Sequence, residues 1–534
     1  MLKVELAFRS GPGENGGMHY CYVAADGSIS PTLRVKPGDT LILRLKNEVS
    51  AGDANAMPAG PHNHGTSDCG APVMAMTQGA TNLHFHGVVI PPVCHQDETL
   101  RTLVQPEAPA FEYRMEIPRD TPPGLYWYHP HPHGMSEEQV LGGASGALIV
   151  EGIEQANHHA ANLPERVIVI RDQEMTAPLP AKPVVKPGAI PPLPDTTRPT
   201  KDLSINYVAV PYPDYPLATI TGPPAEKELW RVLNASADTY LDLQIQFVGQ
   251  PQNLAVLALD GIPIGLDDGT SRDRILWKTH IPLPPASRVE FVVTTPPEGV
   301  EAKLITKFVE RGPAADADSA KPGTAGAGAA NTGADLDDND PERPIARIVS
   351  RKDAAKLNVS LPGFSSVAEA PRSVPLSRVT PVRTRHLYFS ERILNPNDPK
   401  NGTLFFITEE GQTPAKYEPG AAPNITVHQG DVEDWIIENR SNEPHAFHIH
   451  QTHFLVLERH GVPVEEPYLH DTINVPYWDG FTPQFPSIKL RLDFRDPAIL
   501  GTFPYHCHIL QHEDGGMMGT IRVEPATKAG AVRR

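Results

Sequence analysis

The sequence has no long hydrophobic run, few cysteines and no excess of positive charge. No apolar stretch approaches the ~18 residues that a membrane-spanning helix needs, so we expect no membrane span. The 534 residues include 4 cysteines, too few for a fold built on disulfide bonds. The formal net charge of −18 disfavours non-specific binding to nucleic acid and to anionic lipid.

Proline is the residue in excess. The chain contains 58 prolines, about 11% of its residues against a usual value near 5%. Because proline interrupts helices, this content favours short strands joined by turns, and we expect an all-β protein. The apolar fraction of 40% is sufficient for packed cores, and the length predicts three or four domains of roughly 150 residues.

Two internal repeats divide the chain more finely. Segments 33–47 and 425–439 share a Gly-Asp turn between strand-like halves and end in Asn47 and Asn439. A fainter copy ends at Asn234. Because a repeated supersecondary unit indicates a repeated module, we expect three β domains at 1–152, 165–362 and 363–534. Segment 313–344 is rich in Ala, Gly and Asp, and we expect a mobile loop there because this composition cannot bury a core.

Histidine is the most informative residue type. Several of the 23 histidines form four His-X-His pairs: His84/His86, His129/His131, His448/His450 and His506/His508. On a strand, residues i and i+2 point to the same face, so each pair projects two imidazoles side by side. Solvated polar side chains would explain one such pair, but four pairs placed in two repeat copies predict a multi-metal cluster of the kind that imidazole binds.

The cysteine between the last two histidines indicates the metal. Cys507 alternates with His506 and His508 and therefore points to the opposite face of its strand. There it can meet His445 and His512, with Met517 nearby, and two His, one Cys and a weak axial Met form a blue-copper electron-transfer site. Because consecutive Cα atoms are about 3.8 Å apart, we expect this site on the order of 10 Å from the cluster. Pro130 replaces the cysteine in the first repeat, so that module can hold only cluster ligands.

These motifs resemble those of three-domain multicopper oxidases. Segment 505–518 (YHCHILQHEDGGMM) is similar to bacterial spore-coat laccases, copper-efflux oxidases and bilirubin oxidases. The resemblance implies three cupredoxin-like Greek-key β-sandwich domains and four copper ions. It assigns a type 1 copper to His445, Cys507, His512 and Met517, and a type 2 copper to His84 and His448. A type 3 pair would be bound by His86, His129, His131, His450, His506 and His508.

The resemblance also implies an activity. Such enzymes oxidise a small-molecule electron donor one electron at a time and reduce dioxygen to water at the cluster. Glu513 matches an acidic residue that assists the proton-dependent reduction, and Asp97 or Glu98 could be a second such acid. We take Asp97 as the candidate, although its spacing from the first motif is slightly longer than the family pattern.

Several alternatives stay open at this point. We expect a laccase-like oxidase of phenolic or aromatic donors, with a metallo-oxidase of Cu(I) or Fe(II) as the alternative and a scaffold protein without catalysis as a third reading. We expect a monomer in the periplasm or outside the cell, with a cytoplasmic location as the alternative because residues 1–10 lack the apolar core of a signal peptide. Any pair among Cys21, Cys69 and Cys94 could form a disulfide bond, and Cys69–Cys94 is the pairing that we favour.

Overall fold

The computed structural model describes residues 1–13, 17–49, 79–106, 108–176, 198–265, 273–312, 340–355, 357, 374–394 and 402–526. Most of the predicted loop at 313–344 and the end of the second predicted domain lie outside these ranges. The described residues are almost entirely strands and turns, so the predicted all-β class is confirmed. No helix in the described ranges is both long and apolar enough to cross a membrane.

The first part of the chain forms two four-stranded sheets, ordered β2-β1-β4-β6 and β3-β8-β7-β5. The core between these sheets contains aromatic and branched side chains such as Phe8, Tyr113 and Leu148. A short helix, α1 (Ser136–Leu141), precedes the last strand, and α2 (Ile153–Ala156) follows it. The strands are β1 Leu2–Pro12, β2 Met18–Ala24, β3 Leu33–Val35, β4 Thr40–Asn47, β5 His84–His86, β6 Phe111–Glu116, β7 Gly124–His129 and β8 Gly146–Val150.

The middle part forms an eight-stranded and a six-stranded sheet. Their main strand orders are β11-β10-β9-β13-β20-β16-β17 and β12-β22-β21-β14-β15. The strands are β9 Glu165–Gln173, β10 Asp202–Ile205, β11 Val208–Val210, β12 Ala218–Gly222, β13 Lys227–Asn234, β14 Leu241–Phe247, β15 Gln250–Pro251, β16 Leu254–Leu259, β17 Ile262–Pro263, β18 Leu276–Lys278, β19 Ile281–Leu283, β20 Arg288–Thr294, β21 Ala302–Thr306 and β22 Arg343–Ser350.

The last part forms a seven-stranded and a five-stranded sheet, with main orders β24-β23-β26-β32-β28-β29 and β25-β34-β33-β27-β31. The helix α3 (Leu510–Asp514) follows β33. The strands are β23 Arg383–Ile393, β24 Thr403–Glu409, β25 Ile425–His428, β26 Val432–Asn439, β27 His445–Ile449, β28 Phe454–Arg459, β29 Val462–Pro463, β30 Leu469–His470, β31 Thr472–Val475, β32 Ser487–Asp493, β33 Gly501–Cys507 and β34 Met518–Glu524.

The three parts repeat one topology. In each, an early strand pairs in parallel with a later one in the first sheet: β1 with β4, β9 with β13 and β23 with β26. The second sheet of each contains another parallel pair: β3 with β8, β12 with β22 and β25 with β34. This agreement supports three β modules, while their limits at 1–152, 165–362 and 363–534 stay a prediction.

The repeated asparagine has the same structural role in all three copies. The side-chain amides of Asn47, Asn234 and Asn439 each donate to two backbone carbonyls across the loop that follows. Each side-chain oxygen accepts the backbone N–H two residues later. A buried side chain that pairs several backbone groups fixes its loop. In the third copy, that loop leads directly into β27 and His445.

Candidate metal centres

Four strands carry the predicted histidine motifs to one place. In the first part, β5 pairs with β7 and His84 lies opposite His129. In the last part, β27 pairs with β33 and His448 lies opposite His506. All eight histidines of the four pairs are buried, and contacts such as His84–His450 and His86–His448 join the two parts. The cluster therefore lies between the first and last parts of the chain.

The ring nitrogens of the cluster have the arrangement that metal ions require. One nitrogen of each of several rings contacts a protein acceptor: His84 Nδ1 is 3.0 Å from Asp97 Oδ2, and His448 Nδ1 is 2.8 Å from the Asp471 carbonyl oxygen. Among the described residues of the cluster, buried ring nitrogens without a hydrogen-bond partner occur in His84, His86, His129, His448, His450 and His508, and outside it also in His133 and His470. Such nitrogens are costly in an apolar interior unless they bind something, and outer contacts of this kind orient metal-binding imidazoles.

Three further ring nitrogens converge directly. His506 Nε2 lies 3.3 Å from His131 Nε2 and 3.2 Å from His450 Nε2. These three histidines also form one of the groups whose potential ligand atoms lie close enough to share a metal ion. Burial lowers the pKa of His506 to about 3, so it is neutral at physiological pH. Neutral imidazole is the form that binds transition metals.

The cysteine site lies on the other face of the same strands. Cys507 lies opposite Phe447. Because side chains alternate along a strand, His445 points to the same face as Phe447, and His448 points to the other face. Cys507 Sγ is 3.6 Å from His445 Nδ1 and 3.7 Å from His512 Nδ1, and these nitrogens are 3.1 Å apart. Ligand atoms about 2.0–2.3 Å from one trigonal ion would be separated by roughly 3.5–3.7 Å. The two sulfur–nitrogen distances match these values and the nitrogen–nitrogen distance is shorter, and two His with one Cys is the donor set of a trigonal copper site.

The outer nitrogens of the two histidines face carboxylates. His445 Nε2 is 3.2 Å from Glu391 Oε1, and His512 Nε2 is 3.2 Å from Glu443 Oε1. The side chains of Glu391 and Glu443 are 11% and 16% exposed. Sequence reasoning did not find either residue, because each is a single acid without a motif.

Met517, the predicted axial ligand, is fully buried and belongs to the same core cluster as Cys507. Its carbonyl oxygen accepts the N–H of Cys507 at 3.1 Å, and its own N–H donates to the His512 carbonyl oxygen. The Met517 backbone is thus bound to two of the predicted copper ligands.

We expect Met517→Leu to leave copper bound and to raise the type 1 reduction potential, because the axial ligand tunes that potential. A rise of about 60 mV or more is expected, which is tenfold in the equilibrium constant of a one-electron couple. Redox titration of the blue absorption measures it. Met518→Leu is the matched control, and an unchanged potential in Met517→Leu would contradict the axial role.

The two candidate acids lie at the cluster. Glu513 Oε2 is 3.1 Å from His506 Nδ1, and its Oε1 is 3.5 Å from His131 Nε2. Burial raises the pKa of the Glu513 carboxyl. Asp97 contacts His84 and accepts from Gln451 Nε2, whereas Glu98 accepts from backbone and hydroxyl groups of residues 101 and 102. Of the two neighbouring acids, Asp97 is the one in contact with a predicted ligand.

Two residues that sequence reasoning missed complete the surroundings. Asp471 contacts His86 and His448, and Arg288 of the middle part binds Asp471. Neither lies in a repeat or a motif, so only the three-dimensional structure reveals them. Cys94 is disulfide-bonded, and Cys21 and Cys507 are free thiols. Cys69 lies outside the described residues, so the Cys69–Cys94 pairing stays a prediction.

Two models of one protein family match parts of the chain. A multicopper oxidase family model matches residues 394–527, and a second matches residues 73–155. The chain carries multicopper oxidase domains. The family resemblance predicted from the histidine motifs is thereby confirmed, and the family implies that the chain binds copper. Multicopper oxidases as a family are copper-dependent oxidoreductases that use dioxygen.

Individual relatives extend this result. The multicopper oxidase mco of Staphylococcus aureus is 35% identical over 112 residues, or 20% of this chain and 23% of the relative. The match thus spans about a quarter of that relative's length. A multicopper oxidase from Campylobacter jejuni, described as a metallo-oxidase, has a TM-score of 0.62 at 24% identity, covering 98% of this chain and 91% of its own. A laccase-like enzyme from Ochrobactrum has a TM-score of 0.61 at 18% identity, covering 98% and 97%.

The structural matches extend across all three parts of the multicopper oxidase fold, including the middle part that neither family model covers. The predicted cupredoxin architecture is thereby confirmed. The assignment of each histidine to a type 1, type 2 or type 3 copper stays a prediction.

Proposed function

We propose that the protein couples the one-electron oxidation of a phenolic or aromatic donor to the four-electron reduction of dioxygen to water. One observation carries the proposal. Cys507 lies with His445 and His512 on one face of β33, while its chain neighbours His506 and His508 lie in the histidine cluster on the other. Bound copper would supply one-electron redox chemistry at the cysteine site and dioxygen reduction at the cluster.

Covalent connection of the two sites is what the chemistry needs. Electrons enter singly from the donor, but reduction of one dioxygen to water consumes four. The cysteine site must therefore pass electrons repeatedly to the histidine cluster. The backbone around Cys507 provides a bonded path from its thiolate to His506 and His508. The hydrogen bond between His506 Nδ1 and the Cys507 carbonyl oxygen, at 2.9 Å, adds a second short connection.

The surrounding residues handle protons. Reduction of dioxygen to two waters takes up four protons as well as four electrons. Glu513, buried between His506, His131 and the hydroxyl of Ser136, is suitably placed to hold and pass a proton to the cluster. Asp97 can do the same on the side of His84. We assign both as proton carriers because a group that transfers a proton must lie within hydrogen-bonding reach.

The stoichiometry of oxygen consumption tests this proposal. With copper-loaded protein and a simple phenol, we expect four phenols oxidised per dioxygen consumed and no accumulation of hydrogen peroxide. A ratio of two with stoichiometric peroxide would contradict four-electron reduction. Absence of any oxygen consumption by blue, fully loaded protein across a panel of phenols, Fe(II) and Cu(I) would contradict the oxidase function itself.

A metallo-oxidase is the second candidate, and one observation favours it. Glu391 and Glu443 contact the outward nitrogens of His445 and His512, so a cation held there would lie beside the electron-entry site. Carboxylates suit harder cations such as Fe(II), whereas Cu(I) prefers thioethers and thiolates. The description of the Campylobacter jejuni relative as a metallo-oxidase agrees with this reading.

An aromatic loop favours the organic donor. The backbone N–H of Trp478 donates to the Ser441 carbonyl oxygen, and the Ser441 hydroxyl lies 2.7 Å from His445 Nε2. In the same loop, Phe481 is 83% exposed. An exposed aromatic side chain on a loop whose backbone binds Ser441 offers a stacking surface to an aromatic donor.

The variant Glu443→Gln separates the two candidates. We expect its kcat/KM for Fe(II) to fall by roughly tenfold or more if Glu443 binds the cation, since a lost charged hydrogen-bond partner costs about 1.5–3 kcal/mol. Because Glu443 also contacts His512, oxidation of a non-phenolic dye that releases no proton reports any general effect on the copper site, and we expect it to fall less than Fe(II) oxidation. Glu410→Gln is the control, because Glu410 is an exposed glutamate paired with Arg440. Equal Fe(II) kinetics in Glu443→Gln and wild type would contradict the metal-binding role.

A further inference from the structure

Arg288 is a fully buried arginine of the middle part, which contributes none of the predicted copper ligands. All five of its N–H groups are used. Two reach Asp471, with Nη1–Oδ1 at 2.8 Å and Nη2–Oδ2 at 2.6 Å. The other three donate to the carbonyl oxygens of Leu125, Ala286 and Asp260. A guanidinium saturated in this way is held in one orientation.

Asp471 transmits that orientation to the cluster. Its Oδ1 lies 3.3 Å from His86 Nε2, and its carbonyl oxygen lies 2.8 Å from His448 Nδ1. The two imidazoles are stacked, with ring centroids 4.0 Å apart. Their remaining nitrogens, His86 Nδ1 and His448 Nε2, are buried and have no hydrogen-bond partner. The Thr472 hydroxyl, which donates to Asp471 Oδ1, lies 3.5 Å and 3.3 Å from the same two nitrogens. Asp471, together with this hydroxyl, therefore occupies one nitrogen of a ring from the first part and one of a ring from the last part.

Gly87 gives an independent indication that this pair has a fixed place. A Cβ atom at Gly87 would lie 2.4 Å from Arg288 Nη2 and 2.6 Å from Asp471 Oδ2. Both distances are far below van der Waals contact, so a side chain at this position would displace the ion pair. The glycine that follows His86 in the first motif thus leaves room for the guanidinium and the carboxylate.

We propose that Arg288 is a positioning residue for the histidine cluster, acting through Asp471 on His86 and His448. The proposal rests on the proposed function, because it assumes that the cluster holds copper. It gives the middle part a specific role: it supplies the fixed group against which ligands from the other two parts are aligned. Mutation of a residue that orients a metal ligand typically lowers metal affinity by about 10–100-fold.

The test compares Arg288→Lys with Arg231→Lys. Lysine keeps the charge but cannot form the bidentate contact. Arg231 is the matched control, because it is also fully buried and pairs with Glu165 and Glu290 of the middle part. Each variant and the wild type are loaded with copper identically, and copper per chain, blue absorption and the melting temperature of the copper-free protein are measured.

We expect Arg288→Lys to lose cluster copper, to require at least tenfold more free copper for loading and to keep its blue absorption per chain. Arg231→Lys should load like wild type. Equal loading of Arg288→Lys and wild type would overturn the proposal, and so would equal losses in both variants, which would indicate general destabilisation. If Arg288→Lys fails to fold, Asp471→Asn takes its place with the same expectation. Wild-type protein that binds no copper would instead contradict the proposed function.

Discussion

Replacing Cys507 with serine is expected to abolish blue absorption and to reduce oxidase turnover by more than about 100-fold. This loss exceeds the roughly 10–100-fold effect of removing a residue that only hydrogen-bonds a metal ligand. The thiolate is the ligand that makes a copper site blue and links it to His506 and His508. Burial raises the pKa of the Cys507 thiol, so only a bound metal would keep it as thiolate at neutral pH. Absorption and oxygen-uptake measurements on copper-loaded protein check the result.

The serine variant needs a control for folding. Cys507 is a fully buried member of the core of the last part, and serine places a hydroxyl there. Copper per chain and the melting temperature therefore accompany the kinetics. We expect the variant to fold and to keep its cluster copper, with a loss of about one copper per chain. Retained turnover in protein without blue absorption would contradict electron entry at Cys507.

Replacing Glu513 with glutamine has the second-largest expected effect. Because Glu513 lies within 3.5 Å of His506 and His131 and is fully buried, no water can easily substitute for its proton transfer. General acid–base groups contribute about 10²–10⁴-fold to rates, and we expect turnover to fall by about 10²-fold or more. Rapid mixing of reduced protein with dioxygen should show slower reoxidation, while reduction by the donor keeps its wild-type rate.

A control variant at another glutamate tests whether the effect is specific to Glu513. Glu138→Gln changes a glutamate of α1 that pairs with the Tyr20 hydroxyl rather than with a histidine. We expect it to reoxidise at the wild-type rate. If Glu513→Gln also reoxidises at that rate, or if its slower turnover arises in reduction by the donor, the proton-carrying role is wrong.

Much of the fold and of the site was accessible from the sequence. Proline content and strand-like repeats predicted an all-β chain. The shared Asn47, Asn234 and Asn439 each donate from the side-chain amide to backbone carbonyls at the same place in each copy. The His-X-His pairs were informative because strand alternation fixes the faces of neighbouring residues. Local spacing alone was therefore enough to predict that Cys507 lies on one face of its strand and that His506 and His508 lie on the other.

The residues that were missed act over long sequence separations. Arg288 and Asp471 are 183 residues apart in the chain, and His86 and Asp471 are 385 apart. A single acid or arginine has no periodicity, so no pattern predicts which distant group it meets. Glu391 and Glu443, which contact His445 and His512, were missed for the same reason.

Copper quantitation with spectroscopy on the purified, copper-loaded protein tests the central claim most directly. We expect four copper ions per chain, strong blue absorption and a type 1 electron paramagnetic resonance signal. The blue absorption should disappear on addition of a donor without oxygen and return when dioxygen is admitted. Protein that binds no copper, or binds it without blue absorption, would contradict the assignment of both centres.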